Sequence, residues 1–135
     1  MNEDRLKHSY SVGKKMVEIG KEHNLNKEEL EDLFVLGLLH DIGYEIDSTG
    51  KDHNKLGGEV LKRNNYKYYN EVYYHGIKQD DYESLYLKIL NQADMQIDKF
   101  GEDVGYEKRL EDIESRYGKD SIVYKRCIEL IDYIK

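Results

Sequence analysis

Apolar residues recur along the chain at spacings of three and four, the pattern of amphipathic helices that bury one face. The helices predicted from this pattern cover about 3–21, 26–40, 53–64, 67–74 and 82–100, and two more follow a break at 101–105, separated near Gly118. Asn26 and Glu29 form a capping box that opens the second helix. A strand over 66–74 would find no partner elsewhere. We therefore expect an all-α bundle of about six to seven helices.

The length and the glycine and proline content fit that fold. A chain of 135 residues is enough for a single core, so we expect one domain over 1–135. Eleven glycines and no proline suit helices joined by short loops. The helices over 101–135 are expected either to cover the core or to form a dimer contact. A monomer and a homodimer therefore both remain open.

Charge and hydropathy argue against several classes of partner. The net charge of −7 repels a phosphate backbone, so we expect no nucleic-acid polymer as partner. The longest apolar run, 33–39, is far too short to cross a bilayer, and positions 1–4 lack the features of a signal peptide. We therefore expect a cytoplasmic protein without a membrane partner. The single cysteine, Cys127, falls on an apolar stripe and is interpreted as a core residue.

Several polar side chains fall on otherwise apolar helical faces and are expected to point into the core. They are His8, His40, His53, His75 and Asp94. One core histidine bonded to a carbonyl is common, but four imidazoles and a costly buried carboxylate have few uncharged partners. With Asp41 they make a donor set that suits divalent iron, manganese, zinc or cobalt, which predicts a buried metal centre. His23 lies fifteen positions beyond His8. That spacing is roughly 22 Å along a helix, so His23 is assigned to structure or solvent.

The adjacent pair His40-Asp41 ends an apolar helix, where the last turn can aim neighbouring side chains at one ion. The order His8, His40-Asp41 and Asp94 resembles the HD superfamily of metal-dependent phosphohydrolases. Segment 53–58, a histidine followed by small residues, and segment 74–76 look like those of its two-metal members. The resemblance covers residues 8–98. In size and layout the chain is similar to bacterial dinucleoside-polyphosphate hydrolases.

This resemblance implies a compact HD-domain bundle with metal-dependent phosphohydrolase activity. It implies a first ion held by His8, His40, Asp41 and Asp94, and a second held by His53 and His75, with Asp41 bridging. Iron is the metal expected first, and manganese, cobalt or zinc, or magnesium at one site, are the other choices. A metal-activated water would attack a small phosphoester, with a nucleotide as the leading substrate class. Asp41 would be the catalytic residue that positions this hydroxide.

Two departures from the family pattern concern the substrate and the second ion. Residues 42–45 follow the HD pair without the lysine that many members carry there. Lys51, Lys55 and Lys78 are expected to bind the phosphate instead, with Tyr44 as a further substrate-binding residue. A single His75 stands where some two-metal members have two consecutive histidines. A looser second site, or a water in place of the missing imidazole, would result.

Two other functions are compatible with the same residues. A few HD-fold enzymes use this ligand set for a di-iron centre that activates dioxygen, so an oxygenase is the first alternative. A non-catalytic nucleotide-binding or regulatory HD module is the second. The tyrosines near His75 either stack on a nucleotide base or serve as packing residues in a chain with no tryptophan and two phenylalanines.

Overall fold

The computed structural model describes residues 2–135, which fold into α-helices without a β-sheet, and the predicted all-α class is confirmed. The helices are α1 (Glu3–Glu22), α2 (Lys27–Leu39), α3 (His53–Arg63), α4 (Tyr69–Tyr74), α5 (Leu85–Asp94), α6 (Gly105–Tyr117) and α7 (Ile122–Ile134). A short 3-10 helix, Ile42–Glu45, follows α2. No helix formed by residues 2–135 is long and apolar enough to span a membrane.

Side-chain caps explain where most of these helices begin. The Asn26 side chain accepts from the backbone N–H of Glu29, and the Glu29 side chain accepts from the backbone N–H of Asn26. The predicted capping box is therefore confirmed. Ser84 and Ser121 cap α5 and α7 through a single bond each, in which the serine hydroxyl accepts from the backbone N–H three residues later. Each cap satisfies a backbone donor that would otherwise lack an intrahelical partner.

The helix predicted over 82–100 is wrong at both ends. The Ser84 cap delays its start, and the helix ends at Asp94. Residues 95–104 form a turn in which the Asp98 carboxylate accepts from the backbone N–H groups of Phe100 and Glu102. Such side-chain bonds compete with the helical hydrogen bonds of the backbone. Asp94 consequently lies in the last turn of α5 instead of mid-helix.

The helices α1 to α5, here called the main body, enclose the larger core. The buried residues of this core are Val12, Met16, Ile19, Leu33, Leu36, Leu61, Val72, Ile89, Leu90, Ala93 and Ile97. Close contact between α1 and α2 depends on Gly13 and Gly37, because a Cβ on Gly37 would overlap the backbone of Gly13. The two glycines thereby bring the helix that carries His8 against the helix that ends at His40.

The helices α6 and α7, here called the C-terminal hairpin, form a second and smaller apolar cluster. Its members are Met95, Ile113, Cys127, Leu130, Ile131 and Ile134. The interpretation of Cys127 as a core residue is confirmed, since it is buried in this cluster. Met95 follows α5 directly, so the cluster attaches the hairpin beside Asp94.

Candidate metal centre

The structure brings all six predicted metal ligands together, although five helices carry or adjoin them. His8 lies on α1, His40 and Asp41 directly follow α2, His53 begins α3, His75 directly follows α4, and Asp94 ends α5. Five of the six residues are buried, and His53 is partly exposed. By contrast, His23 lies exposed at the C-terminus of α1, as expected of a residue outside the site.

Backbone carbonyls orient all four imidazole rings. The contacts join Nδ1 of His8 to Asp98 O at 2.9 Å, His40 to Gly37 O at 2.6 Å, His53 to Gly50 O at 3.0 Å and His75 to Val72 O at 2.6 Å. Because a carbonyl only accepts, Nδ1 carries the hydrogen in each ring. In the neutral ring Nε2 then has a free lone pair, which is the state that binds a metal.

Helix ends supply two of these carbonyls. Gly37 and Val72 lie in the last turns of α2 and α4, where carbonyl groups have no intrahelical partner. His40 and His75 each lie three residues after the residue whose carbonyl their Nδ1 contacts. The end of the helix therefore orients the imidazole of the histidine that follows it.

The Asp41 carboxylate divides its two oxygens between two pairs of imidazoles. Oδ2 lies 3.7 Å from His8 Nε2 and 3.2 Å from His40 Nε2. Oδ1 lies 3.3 Å from His53 Nε2 and 3.6 Å from His75 Nε2. Asp41 therefore stands between two groups of potential ligands and belongs to both.

Asp94 joins only the first of these groups. Its Oδ1 lies 2.8 Å from His8 Nε2 and 3.4 Å from His40 Nε2. The first group thus contains two imidazoles and two carboxylates, and the second contains two imidazoles and the shared Asp41. This division matches the one that the family resemblance implies.

The ionisable groups of the cluster perturb one another strongly. Burial alone would lower the pKa of His40, but the charges of Asp41 and Asp94 raise it well above 6.5. Burial alone would raise the pKa values of Asp41 and Asp94, but the charge of His40 holds both well below 3.8. The two carboxylates are therefore buried as anions, which requires protonated imidazoles or metal ions beside them.

Two imidazole nitrogens show that protein groups alone do not satisfy this cluster. Nε2 of His40 and Nε2 of His75 are buried and have no hydrogen-bond partner among residues 2–135. Both nitrogens face carboxylate oxygens at distances too long or angles too poor for a hydrogen bond. The ligand atoms also form sets that lie within 4.8 Å of one another, which is compatible with common binding of an ion. The residues present therefore fit a divalent metal bound by imidazole and carboxylate.

A cavity of about 710 Å³ opens on His53 and His75, and we call it the lysine cavity. Lys51, Lys55 and Lys78, the lysines proposed from the sequence for phosphate binding, all line it. Arg126 of α7 also lines it and was not expected from the sequence. The three predicted lysines are thus close to the second group of potential ligands.

Tyr44 lies elsewhere, against a metal-ligand candidate. Its ring stacks on the His53 imidazole with centroids 4.5 Å apart. The guanidinium of Arg5, a residue of α1, lies 3.8 Å from the centroid of the Tyr44 ring. Gly50 has a φ of +79° and touches the ring so closely that a Cβ there would overlap it. Burial raises the pKa of Tyr44 to about 12. The phenol is therefore neutral at ordinary pH, and its ring supports His53.

A second cavity, of about 290 Å³, opens on His8 and Asp41, and we call it the arginine cavity. Its cationic residues are Arg5, Lys99, Arg109 and Arg116, none of which was expected from the sequence to take part in the site. A local signal exists for two of them, because Arg109 and Arg116 lie seven positions apart and share one helical face. Nothing in the sequence links that face to Arg5.

The tyrosines near His75 mostly contact one another and the main core. Tyr66, Tyr68 and Tyr69 pack against the core of the main body, and Tyr74 stacks on Tyr82. These contacts support the packing interpretation of the tyrosines. The tyrosines that line the arginine cavity are Tyr44 and Tyr117.

An all-α bundle in which four histidines and two aspartates converge defines a helical domain with a candidate metal centre. The chain matches the family model of the HD domain over residues 5–135 and belongs to the HD domain family, whose members are generally metal-dependent hydrolases. The matched region includes the C-terminal hairpin, whereas the ligand motifs fall within 8–98. No curated protein and no solved structure matches the chain.

Proposed function

We propose that this protein is a metal-dependent phosphohydrolase that holds two divalent ions and cleaves a small phosphoester, with a nucleotide as the favoured substrate class. The observation that carries the proposal is the division of the Asp41 oxygens between two imidazole pairs. A carboxylate in that position would help to hold two ions. Paired ions at such a site supply an activated water and neutralise the charge that develops on the phosphoryl oxygens.

The roles of the six side chains follow from their grouping. We assign His8, His40, Asp94 and Asp41 Oδ2 to the first ion, and His53, His75 and Asp41 Oδ1 to the second. The carbonyl contacts at Nδ1 hold the imidazoles in the tautomer that binds a metal. The low pKa of Asp41 keeps the bridging group anionic. Iron is the ion we favour, with manganese, cobalt or zinc, or magnesium at one site, as alternatives.

The surroundings of the centre support an anionic substrate. The chain carries a net charge of −7, yet cationic residues line both cavities beside the candidate ligands. We assign Lys51, Lys55 and Lys78 to the phosphate of the substrate. The volume of the lysine cavity lies within the range of about 300–1,000 Å³ that is usual for small-molecule sites. A nucleotide is of that size.

Elemental analysis and a phosphate-release assay test the proposal together. Protein purified without oxygen is expected to bind two ions per chain, and its manganese-loaded form is expected to release phosphate from one or more members of a nucleotide panel. Hydrolysis by a form that does not consume oxygen would separate this activity from a di-iron oxygenase. Oxygen uptake without phosphate release, or nucleotide binding without turnover, would contradict the proposal.

A further inference from the structure

The arginine cavity concentrates positive charge beside the metal centre of an acidic protein. Three of the five arginines in the chain line it, and Arg126 lines the lysine cavity. Arg5 comes from α1, whereas Arg109 and Arg116 come from α6. Lys99, in the turn after α5, adds a fourth cation. The cavity is therefore assembled only when the C-terminal hairpin packs on the main body.

Contacts within the protein hold the two arginines of α6. Arg109 donates through Nε to the Asp94 carbonyl at 3.4 Å, and its Nη1 lies 3.4 Å from Asp112 Oδ2. Arg116 donates through Nη2 to the same Asp112 oxygen at 2.9 Å. One carboxylate therefore compensates two guanidinium groups, and positive charge is left over at the cavity.

Contacts with the segment that follows α2 hold Arg5 in the lining of the arginine cavity. Its guanidinium lies on the Tyr44 ring, and its Nη2 donates to the Ser48 carbonyl at 3.4 Å. The acidic residues that line the arginine cavity are Asp4 and Asp41, against four cationic ones. Guanidinium groups with restrained positions favour bidentate contacts with phosphate or carboxylate oxygens. The cavity thus has the charge and the geometry of an oxyanion site.

We propose that the arginine cavity binds an oxyanion group of the substrate other than the phosphoryl group that is attacked at the metal centre. This inference rests on the proposed function. His8 and Asp41 are part of the lining, so a molecule bound in the cavity reaches the centre. The volume of about 290 Å³ suits one oxyanion group and a short linker. The substrate class is therefore a phosphoester that also carries a second phosphate or a carboxylate.

Binding of matched anions to the metal-loaded protein tests this inference. Pyrophosphate is compared with inorganic phosphate, and 3-phosphoglycerate with glycerol 3-phosphate, by isothermal titration calorimetry at constant ionic strength. The first member of each pair carries the additional oxyanion. We expect at least one of these members to bind about tenfold more tightly than its partner, which is the effect of a charge-assisted hydrogen bond. The pair that shows the difference identifies the second group as phosphate or carboxylate.

In the variant R5Q/R116Q, the tighter binding of the anion with two oxyanion groups is expected to be lost. Inorganic phosphate and glycerol 3-phosphate, which carry one such group, should bind within twofold of wild type. R63Q/K27Q is the matched control, because Arg63 at the end of α3 and Lys27 at the start of α2 are both exposed, and their replacement removes the same two positive charges. Elemental analysis establishes that the variants keep their metal. R116Q alone retains the Arg5 contacts with Tyr44, and it provides the same comparison with a smaller loss if the double variant is unstable.

Equal losses of affinity for both members of each pair, or the same loss in R63Q/K27Q, would overturn the inference. The arginines would then act only through general electrostatic attraction. The absence of any preference for a second oxyanion in the wild-type protein would overturn it as well. Failure of the proposed function has a different signature, because the binding ratios would persist while no phosphoester was hydrolysed.

Discussion

The main body and the C-terminal hairpin contribute different parts of one site. All six candidate ligands come from the main body, where carbonyl groups orient the imidazoles. The hairpin provides none of those six, but it places Arg109, Arg116 and Arg126 in the lining of the two cavities. The candidate metal ligands therefore come from the main body alone, whereas the cations that line the two cavities come from both regions.

The two regions also differ in how they are packed. The main core contains eleven buried apolar residues and includes a close helix contact through Gly13 and Gly37. The cluster of the hairpin contains six, one of them contributed by the segment after α5. Because apolar burial is the main source of stability, the main body is expected to persist under conditions that loosen the hairpin. Substitutions in the two regions should therefore have separable effects.

The largest effect is expected from Asp41→Asn, which affects the centre of the main body. This change keeps the shape of the side chain but removes the charge that both groups of ligands share. We expect loss of bound metal and a fall in phosphate release of at least about a thousandfold. Elemental analysis and the phosphate assay measure the two effects. Asp120→Asn, in the exposed turn before α7, is the matched control. Full metal content in Asp41→Asn would contradict the bridging assignment.

Matched leucine substitutions in the two cores should separate stability from substrate binding. Leu36 and Leu130 are both fully buried, the first in the main core and the second in the hairpin. Leu36→Ala should lower the free energy of unfolding by about 2–5 kcal/mol and weaken metal retention. Leu130→Ala should keep the metal and raise KM, because it loosens the helices that carry the arginines. Denaturant unfolding, elemental analysis and kinetics distinguish the two. Equal metal loss in both variants would contradict the expectation that metal retention depends on the main body and not on the hairpin.

The pH dependence of stability should belong to the main body. Although burial opposes it, the charges of Asp41 and Asp94 raise the folded-state pKa of His40 well above 6.5. The protonated imidazole therefore stabilises the metal-free protein fully below pH 6.5, and this contribution is lost as the pH rises through the folded-state pKa. Thermal unfolding of the metal-free protein from pH 6 upward should show this decline.

Two controls define this pH effect. Leu130→Ala should show the same decline from a lower starting stability, because the titrating groups lie outside the hairpin. Bound metal should abolish the decline, since ions replace protons beside the carboxylates. A metal-free protein with a flat profile above pH 6.5 would contradict the assignment to His40.

Asp41 and Asp94 determine the stability of the metal-free protein at acidic pH. Their contribution to stability is present above pH 3.8 and is lost as the pH falls through their lowered pKa values.

The same division explains what could be predicted from the sequence. His8 and His53 fall on apolar helical stripes, so periodicity alone indicated that they point inward. The end of α5 was missed because the Asp98 side chain bonds backbone groups that a continuing helix would use. Arg5 and Arg116 were missed for another reason. Their proximity depends on how the hairpin packs on the main body, and no local pattern relates residues 111 positions apart.

The smallest effect is expected at Tyr44, which supports the partly exposed candidate ligand His53. The His53 side chain is 26% exposed, and the stacked Tyr44 ring restricts its orientation. Tyr44→Leu should weaken the second ion by up to about tenfold, because it removes the planar contact that orients a ligand. The first ion should bind as before.

Tyr44→Phe tests whether the ring or the hydroxyl is responsible. Since stacking requires only the ring, this variant should bind the second ion within about twofold of wild type. Tyr10→Leu is the matched control, because Tyr10 is 50% exposed and packs on Phe34 away from the ligands. Metal titration with elemental analysis at each step measures the two ions separately. Equal weakening in Tyr44→Phe and Tyr44→Leu would transfer the role to the hydroxyl, and unchanged binding in both would show that the main body orients His53 through the Gly50 carbonyl alone.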